Sequence, residues 1–265
     1  LNRLALAALF VIAAWWISTA FVLRLVWLRR DTHVHTMAGA GVLSLASLGW
    51  LVEASFGTSD AAHYAAFLCA LAIWGGHELA FLLGFVTGPR RTPCPPGAHG
   101  WARFRHATAA VIHHEIALAA TVALIGLMTW DAPNQTGTQA FTVLWVMRLS
   151  AKLNLFLGVR SVSEDFIPER LTYLATYFRR RAFNPLMPLS LVGGAVATFV
   201  VLGGTHRVGD VLVGTLLALA LLEHLFLAFP LNDGVLWRWA TRSSPRAASL
   251  PPQRIVDPRL EGARR

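Results

Sequence analysis

The residues able to do chemistry sit where so apolar a chain should carry none. Arg148 and Lys152 lie four apart in the run WVMRLSAKLNLFLGV (145–159), so a helix projects both from one face. A charge near mid-bilayer costs roughly 2.5–3.5 kcal/mol on insertion scales, and such residues persist where they face partners or water. Ser150 and Asn154 add hydrogen-bonding capacity to the same stretch, which marks it as a core helix. Groups able to meet the cations stand in three other apolar runs: His77–Glu78, His113–His114–Glu115 and Glu223–His224.

Three chemistries suit this set. Glu78, Glu115 and Glu223 against Arg148 and Lys152 make a nearly neutral internal network, with His114, Asn154 and His224 as its hydrogen-bonding members. Its work would be to specify which helices pack together. Alternatively, Glu78, His114, Glu115, Glu223 and His224 are donors suited to iron or manganese. Against a metal, adjacent Glu and His diverge by about 100° on a helix, whereas di-iron bundles space them three apart. The third chemistry is tetrapyrrole ligation by His77, His114 or His224, to haem iron or to a chlorophyll magnesium. Residue type and spacing leave all three open. His33, His35, His63, His99, His106 and His206 fall in loops or near span ends and read as solvated.

The elements that must position these groups are membrane spans. The chain is 55% hydrophobic and only 14% charged, where a soluble domain carries about 25% charge. The fold class is therefore an all-α polytopic transmembrane bundle of about seven spans. Apolar runs near the length needed to cross hydrocarbon cover approximately 4–28, 37–54, 64–86, 107–130, 139–159, 186–204 and 208–230. Glu78, Glu115 and Lys152 lie about twelve, ten and eight residues from Arg90, Arg105 and Arg160, and Glu223 just precedes Pro230. At ~1.5 Å per residue all reach similar depths in one half of the bilayer, where they could meet.

The loops divide by charge. Arg29 and Arg30, then Arg90, Arg91, Arg103 and Arg105, then Arg160, Arg170 and Arg179–Arg180–Arg181 alternate with loops holding Asp60 and Asp131. The positive-inside rule puts the basic set in the cytoplasm, with the N-terminus outside and the C-terminus inside an inner membrane. The net charge of +9 thus belongs to topology and lipid headgroups, and no nucleic-acid partner is expected. Arg90, Arg91, Arg103, Arg105, Arg179, Arg180 and Arg181 are candidates for partner docking. In SEDFIPERLTYLATYFRRR, Leu171, Leu174 and Phe178 share a helical face, which predicts a helix lying in the interface with arginines at its C-terminal end. The bundle is expected over 1–240, closed by an LWRW anchor (236–239), with a basic disordered tail over 241–265. Cys69 and Cys94 read as free thiols.

Four segments resemble the PuhE family: RRTPCPPGA (90–98), WVMRLSAKLNLFLGV (145–159), FRRRAFNPLMPLSL (178–191) and EHLFLAFPLNDGVLWRW (223–239). They span most of the chain from the third apolar run onward; the first two runs add little. The resemblance implies an integral membrane protein that assists assembly of the photosynthetic reaction centre and antenna in a phototrophic bacterium. Reaction-centre or antenna subunits and bacteriochlorophyll would be its partners. It implies no catalytic residues, and it covers Arg148, Lys152, Asn154, Glu223 and His224, with His114–Glu115 matched nearby. Two alternatives stay open: a metal- or haem-dependent membrane enzyme of pigment metabolism, and a resident subunit of the complex.

Overall fold

The computed structural model of the chain describes residues 2–160, 167–204 and 207–229. Its seven helices are α1 (Arg3–Val26), α2 (His33–Ser55), α3 (Asp60–Leu82), α4 (Gly100–Met128), α5 (Thr136–Leu157), α6 (Leu186–Leu202) and α7 (Val208–Ala228). Six are long and apolar enough to cross a membrane, and α6, with 17 residues, is the short one. The protein is an all-α membrane bundle, as the hydropathy pattern requires. The LWRW anchor and the tail over 241–265 lie outside the described residues, as does His206.

Local chemistry sets the helix starts. Asn2 Oδ1 accepts from Ala5 N at 2.9 Å at the head of α1, and Ser59 Oγ from Ala62 N at 3.2 Å at the head of α3. Asn184 Oδ1 accepts from Leu186 N and Met187 N and so caps α6. Asn134 joins two elements: its Oδ1 accepts from Thr136 N at the start of α5, and its Nδ2 donates to Ala54 O near the end of α2.

The centre of the bundle is α3 rather than α5. Of its membrane-crossing window 56% is buried, against 22% for α5. Phe67, Ala70 and Ile73 of α3 meet Val11 of α1, Leu118 of α4, Phe141 of α5 and Leu212 of α7 in one apolar cluster. Small residues set the approach distances. A Cβ at Gly137 would come within 3.0 Å of Ala66 O, so α5 crosses α3 nearly backbone to backbone. Apolar content alone cannot rank helices by burial, because lipid-facing and core-facing positions are equally greasy.

Three features at the end where the basic loops gather differ from the sequence expectation. First, α4 starts at Gly100, so Arg103 and Arg105 lie on a helix rather than in a loop. Its 29 residues rise ~44 Å, more than the hydrocarbon needs. Second, the chain leaving α3 folds back along α4: Thr87 O accepts from His114 N at 3.0 Å and Ala109 O from Arg90 N at 3.1 Å. Gly88 permits this contact, since a Cβ there would overlap the α4 backbone at Ala109–Val111.

Third, Glu169–Tyr177 is a 3₁₀ segment packed on the protein, not an α-helix lying in the interface. With three residues per turn, Leu171, Leu174 and Tyr177 stack on one side, and Tyr177 takes the place expected of Phe178. That side is buried against Phe81 of α3 and Ala110 of α4. The arginines that follow do not extend a helix either. Their backbone pairs with the end of α5: Arg179 N donates to Leu155 O, Val159 N to Arg179 O and Arg181 N to Val159 O.

Arg91 and Asp131, both exposed, stand on either side of α4. In a variant with Cys69 and Cys94 replaced by Ala, a cysteine at 91 and one at 131 should label from opposite sides. A membrane-impermeant maleimide on intact cells should reach one of the two and reach both after permeabilisation. Labelling of both in intact cells would break this arrangement of spans.

Candidate functional site

The charged core is assembled by α5 from carboxylates on two neighbours. Lys152 Nζ donates to Glu115 Oε1 of α4 at 2.6 Å, and the two side chains are only 17% and 13% exposed. One turn earlier, Arg148 Nη2 lies 3.4 Å from Glu78 Oε2 of α3. Phe81 stands between the pairs: Lys152 Nζ sits 5.0 Å from its ring centroid, and the His114 ring lies 4.6 Å away on its other contact. The i, i+4 spacing of the cations and the shared depth of the two glutamates thus become two stacked interhelical ion pairs.

A second cluster ties α5 to α6 and α7. Ser150 Oγ lies 3.0 Å from His224 Nε2 and 2.9 Å from Ser190 Oγ, and Asn154 Nδ2 donates to Ser190 Oγ at 3.0 Å. His224 Nδ1 donates to Ala220 O at 2.9 Å. Because a carbonyl only accepts, the neutral ring carries its proton on Nδ1, which leaves Nε2 facing the Ser150 hydroxyl. A serine beside an oriented imidazole is also the layout of an activated nucleophile. His224 is 1% exposed, however, so the pair works here as a clamp between helices.

The adjacent Glu and His residues diverge as helix geometry demands. His224 faces the clamp, whereas Glu223 is exposed, makes no hydrogen bond among the described residues, and acts on Arg148 only through its charge. His77 Nε2 bonds Thr121 Oγ1 at 2.9 Å while Glu78 turns to Arg148. His114 is fully buried and His113 exposed. The five expected metal donors therefore do not converge on one ion, and no group of three or more His, Cys, Asp or Glu does among the described residues. Spare capacity remains at several places, most densely at His114: both of its ring nitrogens and Oε1 of Glu78 are buried without a hydrogen-bond partner, with Nε2 and Oε1 3.8 Å apart. Of the histidines that read as solvated, His33 is buried with Nε2 3.1 Å from Leu28 O, and His63 Nδ1 lies 2.7 Å from Thr136 Oγ1.

The expected docking arginines separate into two groups. Arg103 is 4% exposed; its guanidinium stacks 4.2 Å from the Phe156 ring and donates to Phe156 O at 3.0 Å and to Tyr177 O. Arg90 Nε donates to Tyr177 Oη at 2.7 Å and its Nη2 to Pro93 O. These two hold the basic loops together, Arg103 buried and Arg90 half-buried. Arg91, Arg105, Arg180 and Arg181 are exposed, and Arg179 is half-buried.

A family model described as a protein of unknown function, DUF3623, matches residues 1–248. The chain belongs to the DUF3623 family. It is 36% identical over 253 residues to an "uncharacterized 30.4 kDa protein in puhA 5′region" of Rhodobacter capsulatus, covering 90% of this chain and 91% of that one. No solved structure matches. The DUF3623 match starts at residue 1, so the family reaches the first two spans, where the PuhE resemblance added little. It is consistent with a puh-region protein, though neither match carries the name PuhE.

Several site residues of this DUF3623 protein escaped the sequence reading. Ser190 and Asn184 are both involved in joining α6 to α5, since Asn184 Nδ2 also donates to Gly158 O. Asn184 was open to detection: Asn followed by Pro before an apolar run is a helix-start signal. Arg170, which donates to Leu83 O at 3.1 Å, carries no comparable signal.

The pairing makes a sharp stability prediction. Glu115→Gln or Lys152→Met alone leaves a buried charge unpaired and should cost roughly 3–5 kcal/mol, whereas the double substitution should recover most of it. Glu223→Gln, which removes a charge acting on Arg148 without a direct contact, should lower the unfolding midpoint by less. Denaturant unfolding in a mild detergent reads all four proteins, and equal losses for Glu115→Gln and Glu223→Gln would overturn the assignment of pairs.

Proposed function

We propose that this membrane protein assists assembly of a photosynthetic reaction centre and its core antenna, as a scaffold rather than a catalyst. The observation that carries the reading is the relative in the puhA 5′ region, at 36% identity over nearly the whole chain. The four PuhE-like segments point the same way. The bundle supports it physically. Its strongest ionisable groups are committed to one another between helices, as a rigid framework needs, while large apolar side chains such as Leu127, Phe199 and Val200 face outward. In the proposed orientation the arginine-rich end faces the cytoplasm of an inner membrane. Exposed Arg91, Arg105, Arg180 and Arg181 there meet a reaction-centre or antenna subunit, and the outer helix faces meet its spans or bacteriochlorophyll.

One observation favours a second reading. His114, with two unpartnered buried nitrogens beside an unpartnered Glu78 oxygen, is the best place in the core for a ligand, water or metal. An enzyme of pigment metabolism would use it. A resident subunit of the complex would instead co-purify with it in equal amounts.

A deletion strain separates the readings. The scaffold reading expects continued bacteriochlorophyll synthesis with less reaction centre and core antenna. Combined Arg91→Gln, Arg105→Gln, Arg180→Gln and Arg181→Gln should reproduce that loss at normal levels of the protein. Build-up of a defined pigment intermediate, cured only by a chain with Glu78 and His114 intact, would replace the scaffold with an enzyme.

A further inference from the structure

At the arginine-rich end, a cleft of about 260 Å³ opens between the end of α5, the start of α6 and the end of α7. Its walls divide sharply by chemistry. Met187, Leu191, Leu227 and Phe229 form an apolar trough, and Arg160 and Arg181 stand at its rim. Among the described residues no carboxylate lines it.

Backbone geometry delivers both cations. Gly158, at φ +129°, ends α5, and its bare Cα leaves room for the Arg181 stem to lie across it; a Cβ there would come within 2.8 Å of Arg181 Cβ. Arg160 is tethered by one hydrogen bond, Nε to Ala182 O at 3.0 Å, and its terminal nitrogens have no partner among the described residues. The Arg181 guanidinium likewise has no hydrogen bond or ion pair among them. The first turn of α6, capped by Asn184, points its positive dipole end at the same space. Two guanidiniums and a helix N-terminus above an apolar trough suit an anion that carries a hydrocarbon chain.

We propose that this cleft binds one acidic phospholipid of the surrounding bilayer, with its phosphodiester on Arg160 and Arg181 and one acyl chain against Leu191 and Leu227. α6 supplies the reason for the depth. Its 17 residues rise only ~26 Å, less than the ~30 Å of hydrocarbon, so the chain turns to polar backbone at Asn184 while still close to acyl carbon. Headgroup and tail therefore meet at the mouth of the cleft. The lipid fills the gap left by the short helix and fastens α6 to α5. This goes beyond the scaffold reading and does not depend on it.

The test is titration of lipid into the purified full-length protein in mild detergent, with bound lipid counted by native mass spectrometry. Phosphatidylglycerol should bind at one per chain and roughly 30-fold more tightly than phosphatidylcholine of the same acyl composition, whose choline cation offsets its phosphodiester and would face the two arginines at about 1 kcal/mol each. Arg160→Gln with Arg181→Gln should abolish that preference. Leu191→Trp, which fills the trough and keeps the arginines, should weaken both lipids. Inorganic phosphate should not displace the bound lipid. Equal binding of the two lipids by the unaltered protein would overturn the proposal, as would an undiminished preference in the arginine variant. Displacement by inorganic phosphate would also overturn it, because the site would then recognise a free anion. Two of these arms use the unaltered chain, so they decide even if a variant fails to fold.

Discussion

A charge left alone in hydrocarbon is the constraint around which the bundle is arranged. The cost of one such group, about 2.5–3.5 kcal/mol on insertion scales, exceeds the ~0.6 kcal/mol average of an interhelical hydrogen bond in a membrane. The pairs Glu78–Arg148 and Glu115–Lys152 therefore decide which way α3, α4 and α5 face. The Ser150–Ser190–His224 clamp then adjusts α6 and α7 against a framework already chosen. Burying the pairs leaves little freedom to slide: a shift of one turn along α5 would offer Arg148 to Glu115's level and leave Lys152 without a carboxylate.

A second constraint acts at the basic end. Each helix C-terminus leaves carbonyls without intrahelical partners. Cationic and imidazole side chains of other elements supply partners: Arg103 reaches Phe156 O at the end of α5, Arg170 reaches Leu83 O at the end of α3, and His33 lies on Leu28 O beyond α1. Positive charge at a helix C-terminus also opposes the negative end of the dipole. The arginines that read as an orientation signal thus also finish the helices, and only part of the basic set remains on the surface.

The spans and the polar core were legible because both rest on simple periodicity. Apolar runs near twenty residues marked the helices, and counting 1.5 Å per residue from the basic loops brought Glu78, Glu115 and Lys152 to a common depth. The partner of each charge was not legible. Depth says nothing about azimuth, so Glu223 looked equivalent to Glu78, although only Glu78 comes within salt-bridge distance of Arg148 among the described residues. The basic loops were misjudged for a different reason. Arg103 has the composition of a surface residue, and its burial depends on Phe156 and Tyr177, which are 53 and 74 residues away. The same holds for the 3₁₀ segment, where a one-residue change of phase exchanges Tyr177 for Phe178 and turns a lipid-facing helix into a packed cap.

The order of the paired residues along the chain carries a consequence in time. Both carboxylates precede both cations: Glu78 by 70 residues and Glu115 by 37. During synthesis at ~5–20 residues per second, α3 waits about 4–14 seconds for Arg148 after its own glutamate is made. Through that interval the nascent protein carries acidic spans with no counter-charge. These must stay beside the insertion machinery, hold a proton, or borrow a cation from elsewhere until α5 arrives. The fifth helix thus brings the counter-charge for two spans made before it.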